Sequence, residues 1–290
     1  NGEKGTSSMK KLTVKKDNAL VNASYNFTTS EQRLILMAVA QGQDCISEMH
    51  RISAIEFAKA YGLTNNAAYK GLKEAVLHLF ERRFSWTEKT ERGNTRHVQA
   101  RWVSKVAYID AEGLVELRFS EDVLPLLAEL KERFTMYDLE NIKDLTSSYA
   151  IRLYELLIAW RLTGKTPNFP LQDFREKLGL LPSEYPRMTD FKRRVLDVAI
   201  KQINKHTDIT ASYEQHKRGR SISGFSFTFE MKKSTQVIGL PAKSKRKQIT
   251  KREAEQMARP GESWSQLLDR IKGEYWITDL ESKPDTSDEG

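Results

Sequence analysis

Two short stretches of this chain are crowded with side chains that hydrogen-bond to polyanions and base edges. One holds Arg187, Thr189, Lys192, Arg193 and Arg194; the other holds Asn65, Asn66, Tyr69, Lys70 and Lys73. Arg pairs bidentately with guanine, Asn with adenine, and Lys with guanine or a phosphate. Two further basic groups flank glycines in turn-like segments: Arg92 and Arg96 beside Gly93, and His216, Lys217, Arg218 and Arg220 around Gly219. Cations on hairpin tips reach phosphates, which add salt dependence more than specificity. The plain alternative for each cluster is a solvated face, and helix capping alone explains one of the two asparagines.

Covalent chemistry finds less support. His50, His78, His97, His206 and His216 are scattered, with no His-x-His pair to hold the metal of a rolling-circle nickase. No Gly-x-x-x-x-Gly-Lys-Ser/Thr loop is present, so ATP hydrolysis is not expected. The Arg-His-Arg-Tyr set of tyrosine recombinases has no fixed spacing and stays open at this level. We therefore expect no catalytic residue, no metal and no cofactor.

The bulk properties agree with a nucleic-acid partner. The 290 residues carry a formal net charge of +8 and are 30% charged, an excess that favours nucleic acid first and an anionic membrane surface second. Cys45 is the only cysteine. That excludes an internal disulfide framework and a Cys-rich zinc site, and we expect a buried structural thiol. No apolar run approaches the roughly 20 residues of a membrane span, and Asn1 to Lys16 lacks the apolar centre of a signal peptide. A cytoplasmic protein is expected.

The elements that must position these clusters follow from pattern. The polar stretch Lys10–Asn18 reads as part of a flexible arm over residues 1–20. Phe27–Glu31 offers caps for a buried helix through Leu34, Ile35 and Val39. A second helix spans Ile52–Tyr61 and ends at Gly62; a third starts at Thr64 or Asn65 and runs to about Phe80 on the apolar face Leu72, Ala75, Val76 and Leu79. Strands follow over Arg83–Thr87, His97–Ile109 and Leu114–Phe119, then a helix capped by Ser120–Asp122 and running to Leu130. The order then begins again. Helices are predicted over Thr146–Arg161, Leu171–Leu178 and Thr189–Lys205, and strands over Ile209–Tyr213 and Ser223–Phe229.

The two halves match in detail. Glu56-Phe57 with Gly62-Leu63 corresponds to Asp173-Phe174 with Gly179-Leu180 at the same spacing. Leu72, Ala75, Val76 and Leu79 correspond to Leu196, Ala199, Ile200 and Ile203, and Arg92-Gly93 to Arg218-Gly219. Three matches in series point to a duplicated unit the length of a small domain. Two helices joined by a tight Gly-containing turn form a helix-turn-helix whose second helix enters the major groove, and the following hairpin is the wing. The expected fold is α+β: two tandem winged-helix domains over residues 21–132 and 133–240, with a C-terminal helical extension. Two such units on one chain suit a long, directly repeated double-stranded-DNA site.

Specific residues carry a family resemblance over roughly residues 20–232. Phe27-Thr28-Thr29-Ser30-Glu31-Gln32-Arg33-Leu34 resembles the start of the first winged helix of the iteron-binding plasmid replication initiators of the RepA, RepE and Pi type. Tyr149–Glu155 is similar to the helix that opens their second domain, Arg187–Arg194 to its recognition-helix entry, and Gly224–Phe229 to its final strand. The resemblance implies monomers on origin iterons, with the second domain gripping more strongly and Arg187, Lys192, Arg193 and Arg194 on DNA. It also implies homodimers joined through the first domain that repress the initiator's own gene or limit copy number, and DnaA and the replicative helicase of the host as partners. A plain transcriptional repressor on an inverted-repeat operator would use the same fold and residues.

Residues 241–290 depart from the compact members of that family. Lys243–Lys247 and Lys251-Arg252 form a basic linker. Ile249–Ala258 and Trp264–Tyr275 read as short amphipathic helices, docked on the body or on a partner.

Overall fold

The computed structural model describes residues 12–42, 45–128, 134–232, 247–250, 257 and 275–278. The chain divides into two compact units, residues 1–236 and 237–290.

The first unit opens with β1 (Thr13–Asp17) and α1 (Asn18–Asn22), where the sequence suggested a flexible arm. Val14, Lys16 and Leu20 are buried, and β1 pairs antiparallel with β7 (Phe134–Asp138). A five-residue polar strand gives little local signal; what orders it is a partner far along the chain.

A winged helix follows. α2 (Thr29–Gln41) starts with a capping box: Thr28 accepts from the Glu31 amide and Glu31 accepts from the Thr28 amide. The same Glu31 carboxylate takes two hydrogen bonds from Arg82, each 3.0 Å. β2 (His50–Ser53) precedes α3 (Ala54–Tyr61), so Ile52 belongs to a strand and not to the helix. Gly62 ends α3 in the left-handed conformation, with φ 63°, which a side chain resists. Thr64 caps α4 (Asn65–Glu81), leaving both asparagines inside the helix's first turn.

The long aromatic alternation over His97–Ile109 is two strands. β3 (Arg83–Lys89) and β4 (Thr95–Arg101) form a separate ribbon; β5 (Val103–Ile109) and β6 (Leu114–Phe119) join β2 in a three-stranded sheet ordered β2–β6–β5. Trp102 makes the break. Its ring is fully buried against Tyr25, Phe27 and Phe84, at centroid distances of 4.8, 5.1 and 5.3 Å. Its carbonyl accepts from the Ser120 amide at 3.0 Å, which turns the chain into the second sheet.

α5 (Leu124–Ala128) and β7 lead to α6 (Ser148–Ile158) and a second winged helix. It contains β8 (Phe169–Pro170), α7 (Leu171–Lys177), α8 (Met188–Phe191), a five-residue π turn over Lys192–Leu196, α9 (Asp197–His206), β9 (Ile209–Arg218) and β10 (Ser221–Met231). Its sheet is ordered β8–β10–β9. In both winged helices the strand before the helix-turn-helix pairs with the last strand, so the duplication read from sequence is also a duplication of topology.

A charged cluster inside the core links the two winged helices. Glu155 on α6 accepts from Lys16 of β1 at 2.7 Å, from Arg152 at 2.9 Å and from Tyr137 of β7 at 2.6 Å, all of them buried. Arg152 also donates to the Val21 and Ala23 carbonyls, at 2.8 and 3.0 Å, and to the Lys177 carbonyl at 3.0 Å. Burial pushes the Glu155 carboxyl up, but Lys16 and Arg152 overcome it and hold the group at about 2. Burial lowers the Lys16 ammonium, and Glu155 opposes that. Around this cluster the entry segment grips the second helix-turn-helix: Asn26 donates to the Gly179 carbonyl at 2.6 Å and Ser24 to that of Glu176 at 3.0 Å. Gly179 has φ 83°, and a Cβ there would overlap the Tyr25 carbonyl oxygen.

In the second unit β11 (Lys247–Thr250) pairs in parallel with β12 (Tyr275–Thr278). Ile249, Thr250 and Tyr275, expected in helices, are therefore in strands; the other residues expected to be helical there, except Met257, lie outside the described ones. Cys45 is exposed and not the buried thiol expected.

Candidate nucleic-acid interface

The second winged helix carries the denser basic surface. Its third helix enters at α8 and passes through the π turn into α9. The Asp197 amide donates to the Lys192 carbonyl, five residues back, which defines the π turn. Such turns are rare, and they cluster at functional sites. Phe191, Val195, Leu196, Ala199 and Ile203 face the core. Arg187, Thr189, Arg193 and Arg194 are exposed on the opposite side. Asp190 is the sole carboxylate between Arg187 and Arg194. It pairs with Arg193 at 3.1 Å and Arg194 at 3.9 Å, so one acid organises two guanidinium groups and neutralises only one. Lys192 is half-buried and donates to Gln215 of β9 at 3.0 Å, tying the helix to the wing. The wing tip holds Lys217, Arg218 and Arg220, all exposed, around Gly219 with φ 63°.

The first winged helix is built differently. Asn65, Asn66 and Lys70 are exposed on the first turns of α4. Tyr69 and Lys73 are half-buried and turned onto Asp110, in the turn between β5 and β6. Lys73 Nζ donates to Asp110 Oδ1 at 2.8 Å, and the Tyr69 hydroxyl donates to the same oxygen. The Lys73 ammonium also lies 4.4 Å from the centroid of the Tyr108 ring. The hydrogen bond from Lys73, then that from Tyr69, holds the Asp110 carboxyl below its ordinary range, while the same bonds raise Lys73 and Tyr69.

Strand order corrects the assignment of the first wing. The hairpin that corresponds to β9–β10 is β5–β6, whose turn contains Asp110 and Glu112. Arg92 and Arg96 are at the tip of the inserted β3–β4 ribbon. They are exposed, and Arg96 lies 3.6 Å from Glu88. The match of Arg92-Gly93 to Arg218-Gly219 is thus a coincidence of sequence and not a structural equivalence. Nothing in the sequence distinguishes Asp110, since an acid in a turn is ordinary; only the pairing of α4 with the hairpin reveals it.

Residues 13–158 match the family model described as initiator replication protein, first winged helix, and residues 170–229 match that of the second winged helix. The chain belongs to the initiator replication protein family. This initiator is 26% identical over 226 residues to an uncharacterized 27.6 kDa protein of Escherichia coli, covering 73% of this chain and 92% of that one. It is 26% identical over 240 residues to a replication initiation protein of Escherichia coli, covering 79% and 73%. The crystal structure of the Pi initiator protein in complex with iteron DNA shares its fold, with TM-score 0.64 and 24% identity over 77% of this chain and 99% of that one. Among the described residues of the initiator no group of His, Cys, Asp or Glu is placed to hold a metal ion, and no helix is long and apolar enough to cross a membrane.

Proposed function

We propose that this initiator binds directly repeated iterons at a plasmid origin as a monomer, reading bases through the exposed starts of both third helices. The observation that carries the reading is the second one: Arg187, Thr189, Arg193 and Arg194 are exposed on one face of a helix whose other face is buried, beside a wing tip of three cations. A helix of that shape fits the major groove, and the wing fits the adjoining phosphates. Asn65, Asn66 and Lys70 supply the corresponding contacts in the first unit, and Arg92 and Arg96 add phosphate contacts from the inserted ribbon. The iteron complex of the structurally similar Pi initiator supports the choice of DNA target. Origin opening, helicase loading with host DnaA, dimerisation through the first winged helix and autorepression extend this reading on the strength of the family.

Footprinting on the origin tests it. Protection of each direct repeat, with contacts in successive major grooves on one face, is expected. Protection confined to an inverted repeat in a promoter would favour the repressor reading and overturn this one.

A further inference from the structure

The first winged helix closes part of its own DNA-facing surface. Tyr69 and Lys73 are one helical turn apart, so a single carboxylate reaches both. Asp110 supplies it from the neighbouring turn, and Tyr108 walls the lysine from the side. An anionic oxygen that accepts from a lysine and a hydroxyl together is the arrangement that a DNA phosphate offers to a recognition helix. The Asp110 side chain is 61% exposed, so the pair can open to solvent and exchange partners. In the second winged helix the equivalent turn has no such acid, and the tip cations Lys217, Arg218 and Arg220 are exposed.

We propose that Asp110 is an internal phosphate mimic that occupies Lys73 and Tyr69 and so suppresses sequence-independent DNA binding by the first winged helix. The inference rests on the DNA-reading surface proposed above and adds a specificity-determining residue to it. Non-specific affinity follows the number of phosphates neutralised, and each one adds about 0.9 to the slope of log affinity against log salt. With Lys73 held by Asp110, a random duplex gains nothing from that lysine. A cognate repeat, which positions the helix through base contacts, can present a phosphate where Lys73 exchanges one anion for another.

The test uses the full chain with Asp110→Asn, Lys73→Met, the double variant and Glu112→Gln. Glu112 sits in the same turn and, among the described residues, makes no hydrogen bond to α4. Fluorescence anisotropy across a salt series is read on a random-sequence duplex and on a repeat-containing duplex. Asp110→Asn is expected to bind the random duplex several-fold more tightly, to steepen its salt slope by about one, and to lower the ratio of repeat to random affinity. All three changes should vanish in the Lys73→Met background, and Glu112→Gln should leave the slope alone. An unchanged slope for Asp110→Asn, an equal gain without Lys73, or an equal effect of Glu112→Gln would overturn the proposal. A wild-type chain that fails to prefer the repeat would instead remove the DNA-reading function; the random-duplex slopes still decide the role of Asp110.

Discussion

In the first winged helix the turn between β5 and β6 carries Asp110 and Glu112, and Asp110 bonds α4. In the second, the equivalent turn between β9 and β10 carries Lys217, Arg218 and Arg220, and the entry of the helix beside it, Arg187 to Arg194, has one carboxylate among four cations. The same topology thus supports two electrostatic strategies. The second winged helix spreads cations over wing and helix, which on the proposed reading favours tight binding to any duplex. The first offsets a cation internally and exposes amides, which on the same reading makes base contacts a larger share of whatever binding it adds. The two frames share a topology and differ in the charges on their tips.

The buried cluster around Glu155 holds the two frames together, and the largest expected effect is there. Arg152→Ala removes a buried guanidinium that ties α6 to the entry segment and leaves Glu155 with a weaker set of partners. We expect a loss of about 3–5 kcal/mol, measured by urea unfolding. The same cluster predicts an acid limit. The Glu155 carboxyl is lowered in the folded chain from 4.5 to about 2. Its contribution is therefore complete above the unfolded value and is lost as pH falls from there toward 2. Stability measured across that window should fall, and Glu155→Gln should flatten the fall; equal slopes for the two chains would remove the assignment.

Next in size is the second helix. Arg193→Ala with Arg194→Ala should cost about 1–3 kcal/mol of binding for each base that is no longer read and leave the fold intact, since both side chains are exposed. Unchanged affinity at physiological salt would break the contrast between the units. Smaller effects are expected at the tips. Neutralising Lys217, Arg218 and Arg220 together should reduce the salt slope by about one for each phosphate released. Neutralising Arg92 and Arg96 should reduce it less, because Glu88 already offsets Arg96. A larger effect at Arg92 and Arg96 would mean that the inserted ribbon, and not the second wing, is the principal backbone clamp.

Much of this architecture is legible in the sequence because it is local. Gly62 and Gly179 mark the two turns, Thr28 and Glu31 announce the capping box, and the apolar stripe of α4 is plain in its periodicity. The rest is non-local. The alternation through His97–Ile109 continues across Trp102 without a break, since the cause of the break is a pocket made by Tyr25, Phe27 and Phe84. Lys16 reads as part of a solvated arm, yet it is buried because its partner stands 139 residues away. Of the site, the cations are visible as a composition, whereas the carboxylate that restrains Lys73 emerges only once hairpin and helix are paired in space.

The π turn at Lys192–Leu196 has a consequence for how that helix evolves. An ordinary helix couples phase to composition: inserting one residue rotates everything beyond it by about 100° and drags apolar side chains out of the core. Here one turn is widened to hold one more residue than an ordinary turn, with Phe191 before it, Leu196 at its end and Ala199 and Ile203 beyond it all facing inward. Within the widened turn Arg193 and Arg194 stand outward while Val195 and Leu196 stay buried. On the proposed reading, gaining or losing a single residue in this turn would re-index the exposed cations against DNA without redesigning the core that carries them.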